Sequence, residues 1–185
     1  MNNAWRGTFG DEYTKRNDFD WTKRIPSFKK ILKDIVVKDI LEIGSNQGKN
    51  LLALEEIGYA AMGIEPNTLA RKIAEKHELL TFPGTATDIP FGTGTFDLVF
   101  TAGVLIHVHP KELQASMEEI IRVSSRYVLA IEYEAKNETM VNYRGQRDML
   151  WKRPFGKLYK DLGLKMLSHG KIDNFDRSHF WLMEK

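Results

Sequence analysis

The chain has 185 residues, enough for one well-filled hydrophobic core and few for two. Its 27 Lys and Arg residues nearly balance its 25 Asp and Glu residues, and a formal charge of +2 gives no general attraction to nucleic acid or membranes. Without cysteine there is no disulfide or thiol catalysis, and no apolar run predicts a signal sequence or membrane span. We therefore expect a soluble, cytoplasmic protein that acts on a small molecule.

Residues 1–37 are predicted to form a lid followed by a helix. Segment 5–17 mixes aromatic residues, glycines and charges without a clean period, and a segment of this kind before the first strand often folds over a ligand. The alternative is a strap that only covers an edge of the core. The candidate ligand contacts in this segment are Tyr13, Arg16 and Asn17. From residue 25 to 37, apolar residues recur at helical spacing and predict an amphipathic helix.

The stretch 39–48 predicts a strand, a tight glycine turn and the start of a helix. An apolar run stops at Gly44, and helical spacing begins at Gln47. In an open α/β sheet, a turn at the carboxyl end of the first strand is a nucleotide site. A dinucleotide site would need glycines where the chain has Asn46 and Lys49, which disfavours a nicotinamide-dependent oxidoreductase. The candidate contacts are Glu42, Gly44, Ser45, Asn46 and Gly48.

Further candidates follow the later strands. A second apolar strand, 60–64, ends in Glu65, an acid placed to accept both hydroxyls of a ribose. A helix then begins at Pro66, and residues 79–82 predict a third strand. The fourth strand begins at Phe96 and brings small residues to the ligand crevice. The candidate cofactor contacts in this part of the chain are Glu65, Pro66, Thr85, Ala86, Asp88, Thr101, Ala102 and Gly103.

These motifs resemble those of the class I S-adenosylmethionine (SAM) methyltransferases, in the family's order. The residues that carry the likeness are E-I-G-S-N-Q-G, Glu65, I-P-F at 89–91 and F-D-L-V-F-T-A-G-V-L-I-H-V. Asn46 stands where the family has the middle glycine of its first motif, and Thr85 stands where it has an acid that contacts adenine. The resemblance implies SAM as cofactor and S-adenosylhomocysteine (SAH) as product, with Glu65 on the ribose.

The implied fold is a Rossmann-like α/β fold, in which helices cover both faces of a mostly parallel seven-stranded sheet with an antiparallel last strand. The remaining patterns agree with it. They predict a helix at 110–123, a buried strand at 127–133 and two strand candidates at 165–167 and 179–183. We expect one domain, 1–185, with the cofactor-binding core at 38–133 and a substrate-binding insert and C-terminal strands at 134–185.

His107 and His109 are the candidate catalytic residues, because a hydroxyl acceptor needs a nearby base. If the segment is extended, only one of the two can face the crevice, and we favour His107. Either histidine can instead have a structural role at the start of the next helix. If the acceptor is a carboxylate, no base is needed.

A basic segment with interleaved aromatic residues, 142–157, is predicted to bind the substrate. Arginine forks match carboxylates and phosphates, which favours an anionic substrate, although a solvated charged face or an RNA contact would show the same pattern. The candidates are Tyr143, Arg144, Arg147, Lys152 and Arg153.

The terminal segments also look like those of the methylases associated with pseudaminic acid biosynthesis. The residues that carry this likeness are W-R-G-T-F-G-D-E-Y-T-K-R-N, Y-R-G-Q-R-D-M-L-W-K-R-P-F-G-K-L-Y and S-H-F-W-L-M-E-K. This resemblance implies O-methylation of a small acidic sugar or sugar nucleotide. The alternatives are a methyltransferase for another small molecule and a SAM-binding scaffold or partner subunit without turnover. The sequence leaves the oligomeric state open.

Overall fold

The strand predicted before Gly44 lies in the middle of a seven-stranded sheet in the computed structural model, which describes residues 3–185. The sheet strands are β1 (Asp39–Ile43), β2 (Ala60–Ile64), β3 (Thr81–Phe82), β4 (Phe96–Ala102), β5 (Ser124–Glu132), β8 (Lys165–Lys171) and β9 (His179–Glu184). A separate antiparallel pair consists of β6 (Thr139–Met140) and β7 (Trp151–Lys152). The helices are α1 (Thr8–Arg16), α2 (Ile25–Leu32), α3 (Lys49–Glu55), α4 (Thr68–Glu75), α5 (Pro110–Val123) and α6 (Phe155–Asp161).

The order of the strands creates the crevice in which ligands bind. Across the sheet it is β3-β2-β1-β4-β5-β9-β8, so the chain runs outward from β1 to β3 and then returns to β4 beside β1. The first five strands pair in parallel, whereas β9 is antiparallel to both β5 and β8. The predicted fold is confirmed. The carboxyl ends of β1 and β4, where the order reverses, are where such a sheet binds its ligand.

Both faces of the sheet are buried, which explains why its central strands are continuously apolar. In β4, Leu98 and Phe100 pack on the face that carries Phe28 of α2 and Leu51 of α3. The alternate residue Val99 packs on the other face, which is covered by residues of α5 and α6. None of the helices described between residues 3 and 185 is long and apolar enough to cross a membrane.

Three predicted elements differ from the structure. Segment 5–17, for which no regular structure was predicted, is mostly helical: a 3-10 turn at Asn3–Arg6 leads into α1. The buried residues of α1 are only Gly10 and Thr14, so the sequence shows no apolar stripe. The helix predicted to reach residue 37 ends at Leu32, before three successive β-branched residues that are weak helix formers. The third strand has two residues instead of four, and Leu80 before it is exposed.

Phe28 is fully buried and meets the rings of Phe100 and Phe175 edge to face, at centroid distances of 5.8 and 5.6 Å. We predict that Phe28→Ala lowers the free energy of unfolding by about 3–5 kcal/mol, because it leaves a cavity under α2. Urea denaturation measures this. Val36→Ala is the control, since Val36 is 90% exposed, and it is expected to change the value by less than about 0.5 kcal/mol. Equal effects of the two substitutions would contradict this account of the core.

Candidate active site

The β1–α3 loop forms the tight turn that the sequence predicted. The backbone N–H groups of Gly44 and Ser45 both donate to the carbonyl oxygen of Ile64 at the end of β2, at 2.8 and 3.0 Å. Gly44 has a φ of +71°, and a Cβ there would lie 2.7 Å from a methyl carbon of Val104. Asn46 takes a left-handed φ of +48°. Asparagine tolerates this conformation better than other residues with a side chain, so it can stand in place of a glycine.

Glu65 joins this loop to the start of α4. Its carboxylate is buried and accepts hydrogen bonds from the backbone N–H groups of Asn46 at 2.9 Å and Asn67 at 2.8 Å. Burial raises the pKa of Glu65, and these two N–H groups partly offset the increase. Each carboxylate oxygen accepts one of the two bonds and has a second acceptor position. Glu65 can therefore still accept two hydroxyl groups.

A cavity of about 750 Å³, which we call the cofactor cavity, lies between the β1–α3 loop, Glu65 and α1. Two side-chain amides hold α1 over it: Gln47 donates to the carbonyl oxygen of Thr14, and Asn67 donates to that of Trp5 and to Asp11. Of the predicted residues, those that line it are Tyr13, Asn17, Glu42, Gly44, Ser45, Asn46, Glu65, Pro66, Ala102, Gly103 and His107.

The polar atoms of the cofactor cavity fit SAM. Five of them are buried without a hydrogen-bond partner in the described part of the chain: Trp5 Nε1, Thr14 Oγ1, Glu42 Oε2, Ser45 Oγ and Asn46 Oδ1. Burying polar groups unpaired is costly, so such a cluster indicates a polar ligand. SAM carries an ammonium, a carboxylate and ribose hydroxyls, which can pair with these donors and acceptors.

Glu42 is a buried acid at the floor of the cofactor cavity. Its Oε1 accepts from the Asn50 side chain at 2.5 Å, and the Asn50 Oδ1 accepts from Arg24 at the same distance. Burial raises the pKa of Glu42 to about 8. A ligand ammonium near its unpaired oxygen would favour the ionised carboxylate.

A second cavity of about 940 Å³, which we call the acceptor cavity, adjoins the first. The two share Tyr13, Asn17, Ala102, Gly103 and His107. The acceptor cavity also has three arginines in its lining, Arg16, Arg24 and Arg144. Its remaining lining residues are Ile106, Tyr133, Tyr143, Leu150, Phe175, Asp176 and Ser178.

His107 lies in the shared wall and is neutral at physiological pH. Its Nδ1 lies 2.5 Å from the carbonyl oxygen of Met149, and because a carbonyl only accepts, Nδ1 carries the hydrogen and Nε2 has the free lone pair. The ring packs against those of Trp5 and Tyr143, at centroid distances of 4.7 and 5.1 Å. This burial lowers the pKa of His107 to about 4. His107 is therefore a hydrogen-bond acceptor and a weak base.

His107 belongs to a short turn, Leu105–His107, that is held by two buried ionisable side chains. One binds its N–H groups and the other binds its carbonyl groups. Glu132, at the end of β5, accepts from the N–H groups of residues 104, 105 and 106 at 3.0–3.2 Å. Arg153 donates to the carbonyl oxygens of Leu105 at 2.5 Å and Val108 at 2.8 Å. Burial raises the pKa of Glu132 to about 7 and lowers that of Arg153.

Several residues predicted to bind ligands have other positions, and we correct the two clearest cases. Arg153 is fully buried, and its bonds to the turn and to Glu138 give it a structural role. His109 accepts from the N–H of Lys111 and caps α5, the structural alternative considered for it. The other predicted residues outside the lining of both cavities are Gly48, Thr85, Ala86, Asp88, Thr101, Arg147 and Lys152.

Sequence reasoning missed several residues that line or support the cavities. They are Trp5, Thr14, Arg24, Gln47, Asn50, Tyr133, Asp176 and Ser178. Asn50 had a signal in the sequence, because it lies in the first turn of α3, directly after the glycine turn. For Tyr133 and Asp176 there was none, since only the pairing of β5 with β9 brings them together.

In sequence, the chain is similar to known methyltransferases. Residues 41–129 match the model of a family described as a methyltransferase domain. An uncharacterized methyltransferase of Oceanobacillus iheyensis is 24% identical over 163 residues, which cover 85% of this chain and 76% of that protein.

Two solved structures with SAH bound share the fold. The 1,6-didemethyltoxoflavin-N1-methyltransferase of Burkholderia thailandensis has a TM-score of 0.75 at 12% identity, covering 96% of this chain and 84% of its own. Magnesium protoporphyrin IX methyltransferase of Synechocystis also has a TM-score of 0.75, at 14% identity, covering 99% and 97%. With the site described above, these findings support a SAM-dependent methyltransferase with the class I fold. SAM is its cofactor.

We predict that Glu65→Gln weakens SAH binding about tenfold or more, because hydrogen bonds to a charged group contribute about 1.5–3 kcal/mol. Isothermal titration calorimetry measures the affinity. The matched control is Glu75→Gln, which changes an exposed acid on α4 and should leave the affinity unchanged. Unaltered SAH binding by the Glu65 variant would show that Glu65 does not contact the cofactor.

Arg153→Met should lower the free energy of unfolding by about 2–4 kcal/mol, since it leaves two buried carbonyl oxygens without a donor. The neighbouring Lys152 is exposed, and Lys152→Met should change the value by less than about 0.5 kcal/mol. Urea denaturation compares the two. A small effect at position 153 would mean that water replaces the guanidinium at the turn.

Proposed function

We propose that the protein transfers the methyl group of SAM to an oxygen of a small acidic acceptor bound in the acceptor cavity. The observation that carries this proposal is the position of the acceptor cavity, which shares a wall with the cofactor cavity and is lined by three arginines. Arginine is suited to carboxylates and phosphates. The near-neutral charge of the whole chain supports a small anion over nucleic acid.

The three arginines differ in how many contacts their guanidinium groups already make within the protein. Arg24 donates to Asn50 and to the carbonyl oxygen of Asn174, and its guanidinium lies 3.8 Å from the centroid of the Phe19 ring. Arg16 has a long 3.6 Å contact with Glu12. Arg144 lies over the ring of Tyr143, 6.0 Å from its centroid. Arg16 and Arg144 are therefore the better candidates to bind an anion of the acceptor.

Methyl transfer is a displacement at carbon, and its main demands are contact between the reactants and exclusion of water. The shared wall meets the first demand, because Ala102 and Gly103 present little side chain between the two cavities. The second is met by α1, which covers the cofactor cavity. SAM supplies the electrophilic methyl group, and residues 1–37, 38–133 and 134–185 supply the lid, the cofactor core and the acceptor side.

The neutral state of His107 bears on the acceptor atom. A base with a pKa of about 4 is a poor match for deprotonating a sugar hydroxyl at neutral pH. A carboxylate oxygen needs no deprotonation, and the free Nε2 of His107 can still orient a neighbouring hydroxyl. We therefore favour a sugar acid of the nonulosonic type, or its nucleotide, as the acceptor, in keeping with the likeness of the terminal segments to the pseudaminic acid-associated methylases.

The alternatives are an acceptor of another class and a scaffold without turnover. The solved neighbours act on chemically different molecules, a toxoflavin precursor and a magnesium porphyrin, and the fold therefore does not select the acceptor. Calorimetric titration with SAH, with NADH as the control ligand, addresses the cofactor. Micromolar binding of SAH alone supports the cofactor site, whereas no SAH binding would favour a fold that has lost it.

We predict that Arg144→Ala reduces kcat/KM for a sugar-acid acceptor about tenfold or more, because it removes a charged hydrogen-bond donor. Transfer of radiolabelled methyl groups from SAM to a panel of nonulosonic acids measures this. Arg147→Ala is the matched control, since Arg147 belongs to the same insert, is exposed and lies outside the acceptor cavity. Equal losses in both variants would indicate general electrostatic attraction, and a panel without methylated product would contradict the proposed acceptor class.

A further inference from the structure

One wall of the acceptor cavity comes from the loop between β8 and β9, residues 172–178. The loop contains three residues other than glycine with positive φ, at Asn174 (+63°), Asp176 (+44°) and Arg177 (+60°). Asparagine and aspartate tolerate such conformations, whereas at Arg177 the surroundings impose it. Here the carbonyl oxygens of Asp173 and Asn174 accept from Ser27 at 3.1 Å and Arg24 at 3.2 Å. The loop is therefore fixed against α2 and the turn before it.

The loop places Asp176 in the lining of the acceptor cavity, next to Tyr133, the residue that follows β5. The phenol of Tyr133 donates a hydrogen bond to Oδ2 of Asp176. A carboxylate has about four acceptor positions, and this bond uses one of them. The pair can thus accept further hydrogen bonds, with the carboxylate oriented by the phenol.

The charge of Asp176 is opposite to what binding an anion requires. Among the described residues that line the acceptor cavity, Asp176 is the only acid, and it lies with three arginines. A carboxylate in this place lowers the affinity for a simple anion, so it suits a ligand that also carries a hydrogen-bond donor. Three guanidinium groups disfavour an ammonium. The donor is then an uncharged group, and in a sugar acid the most numerous uncharged donors are hydroxyl groups.

We propose that Asp176, oriented by Tyr133, is a specificity-determining residue that accepts a hydrogen bond from a hydroxyl group of the acceptor. The inference rests on the proposed function, because the same acceptor places its anion near the arginines. The cavity then discriminates between anions of similar size by their hydroxyl groups. A purely structural role for Asp176, as a latch between the loop and Tyr133, predicts no such discrimination.

The test uses three small probes. D-Glucuronate and cyclohexanecarboxylate share a six-membered ring and a carboxylate, and only the first carries hydroxyl groups. D-Glucosamine tests whether the cavity prefers an amine to a carboxylate. Ligand-observed NMR titration of the full chain saturated with SAH gives their affinities. The main variant is Asp176→Asn, which removes the charge and keeps a residue that tolerates positive φ. Tyr133→Phe removes the orienting phenol, and Asp173→Asn is the control, because Asp173 belongs to the same loop but lies outside the cavity lining.

We expect Asp176→Asn to weaken glucuronate about tenfold while cyclohexanecarboxylate binds equally well or more tightly. Tyr133→Phe should weaken glucuronate by a smaller factor, and Asp173→Asn should change neither probe. Tighter binding of both carboxylates by Asp176→Asn, or unchanged binding of glucuronate, would overturn the inference and leave the anionic acceptor standing. Preferred binding of glucosamine would replace the hydroxyl with an amine. If SAH binds but neither carboxylate does, the acidic acceptor itself is wrong, and this inference fails with it.

Discussion

The turn after β4 depends on two buried ionisable side chains of opposite type, and the rest of the site depends on that turn. Glu132 accepts from three successive N–H groups, and Arg153 donates to two carbonyl oxygens of the same short segment. A buried guanidinium is stable only when its donors are paired, and the irregular backbone between the two cavities supplies the acceptors. Because Arg153 comes from the insert after β5, the insert also fixes the geometry of the cofactor side.

This arrangement gives the donor and the acceptor sides a common wall. The turn carries His107, which contacts Trp5 of the N-terminal segment and Tyr143 of the insert. Segments from both ends of the chain therefore meet at one imidazole, whose burial keeps it neutral. A charged imidazolium there would also be repelled by the buried guanidinium of Arg153, which lowers the pKa of His107 further.

The sequence predicted the parts of the site that depend on local structure and failed where long-range packing decides. The glycine turn, Glu65 and the crevice at Ala102 and Gly103 follow from strand ends and turn chemistry, and the structure brings them to one cavity. The role of Arg153 could not be predicted from the sequence. The pattern of an arginine between aromatic residues is the same whether the arginine binds a substrate or backbone carbonyl groups. The helical form of the predicted lid segment was missed, since α1 buries only Gly10 and Thr14 and shows no apolar stripe.

The sparse apolar burial of α1 bears on how the cofactor cavity exchanges its contents. The helix buries only Gly10 and Thr14. The Gln47 amide donates to its backbone at Thr14, and the Asn67 amide donates to the side chain of its Asp11. Hydrogen bonds of this kind contribute about 1 kcal/mol each because water can replace them, whereas a packed apolar face would cost far more to expose. Opening of α1 therefore costs less than unfolding of the sheet, although it also breaks the ring contact between Phe9 and Tyr143. If α1 acts as the predicted lid, polar attachment lets it exclude water during transfer and still release the product.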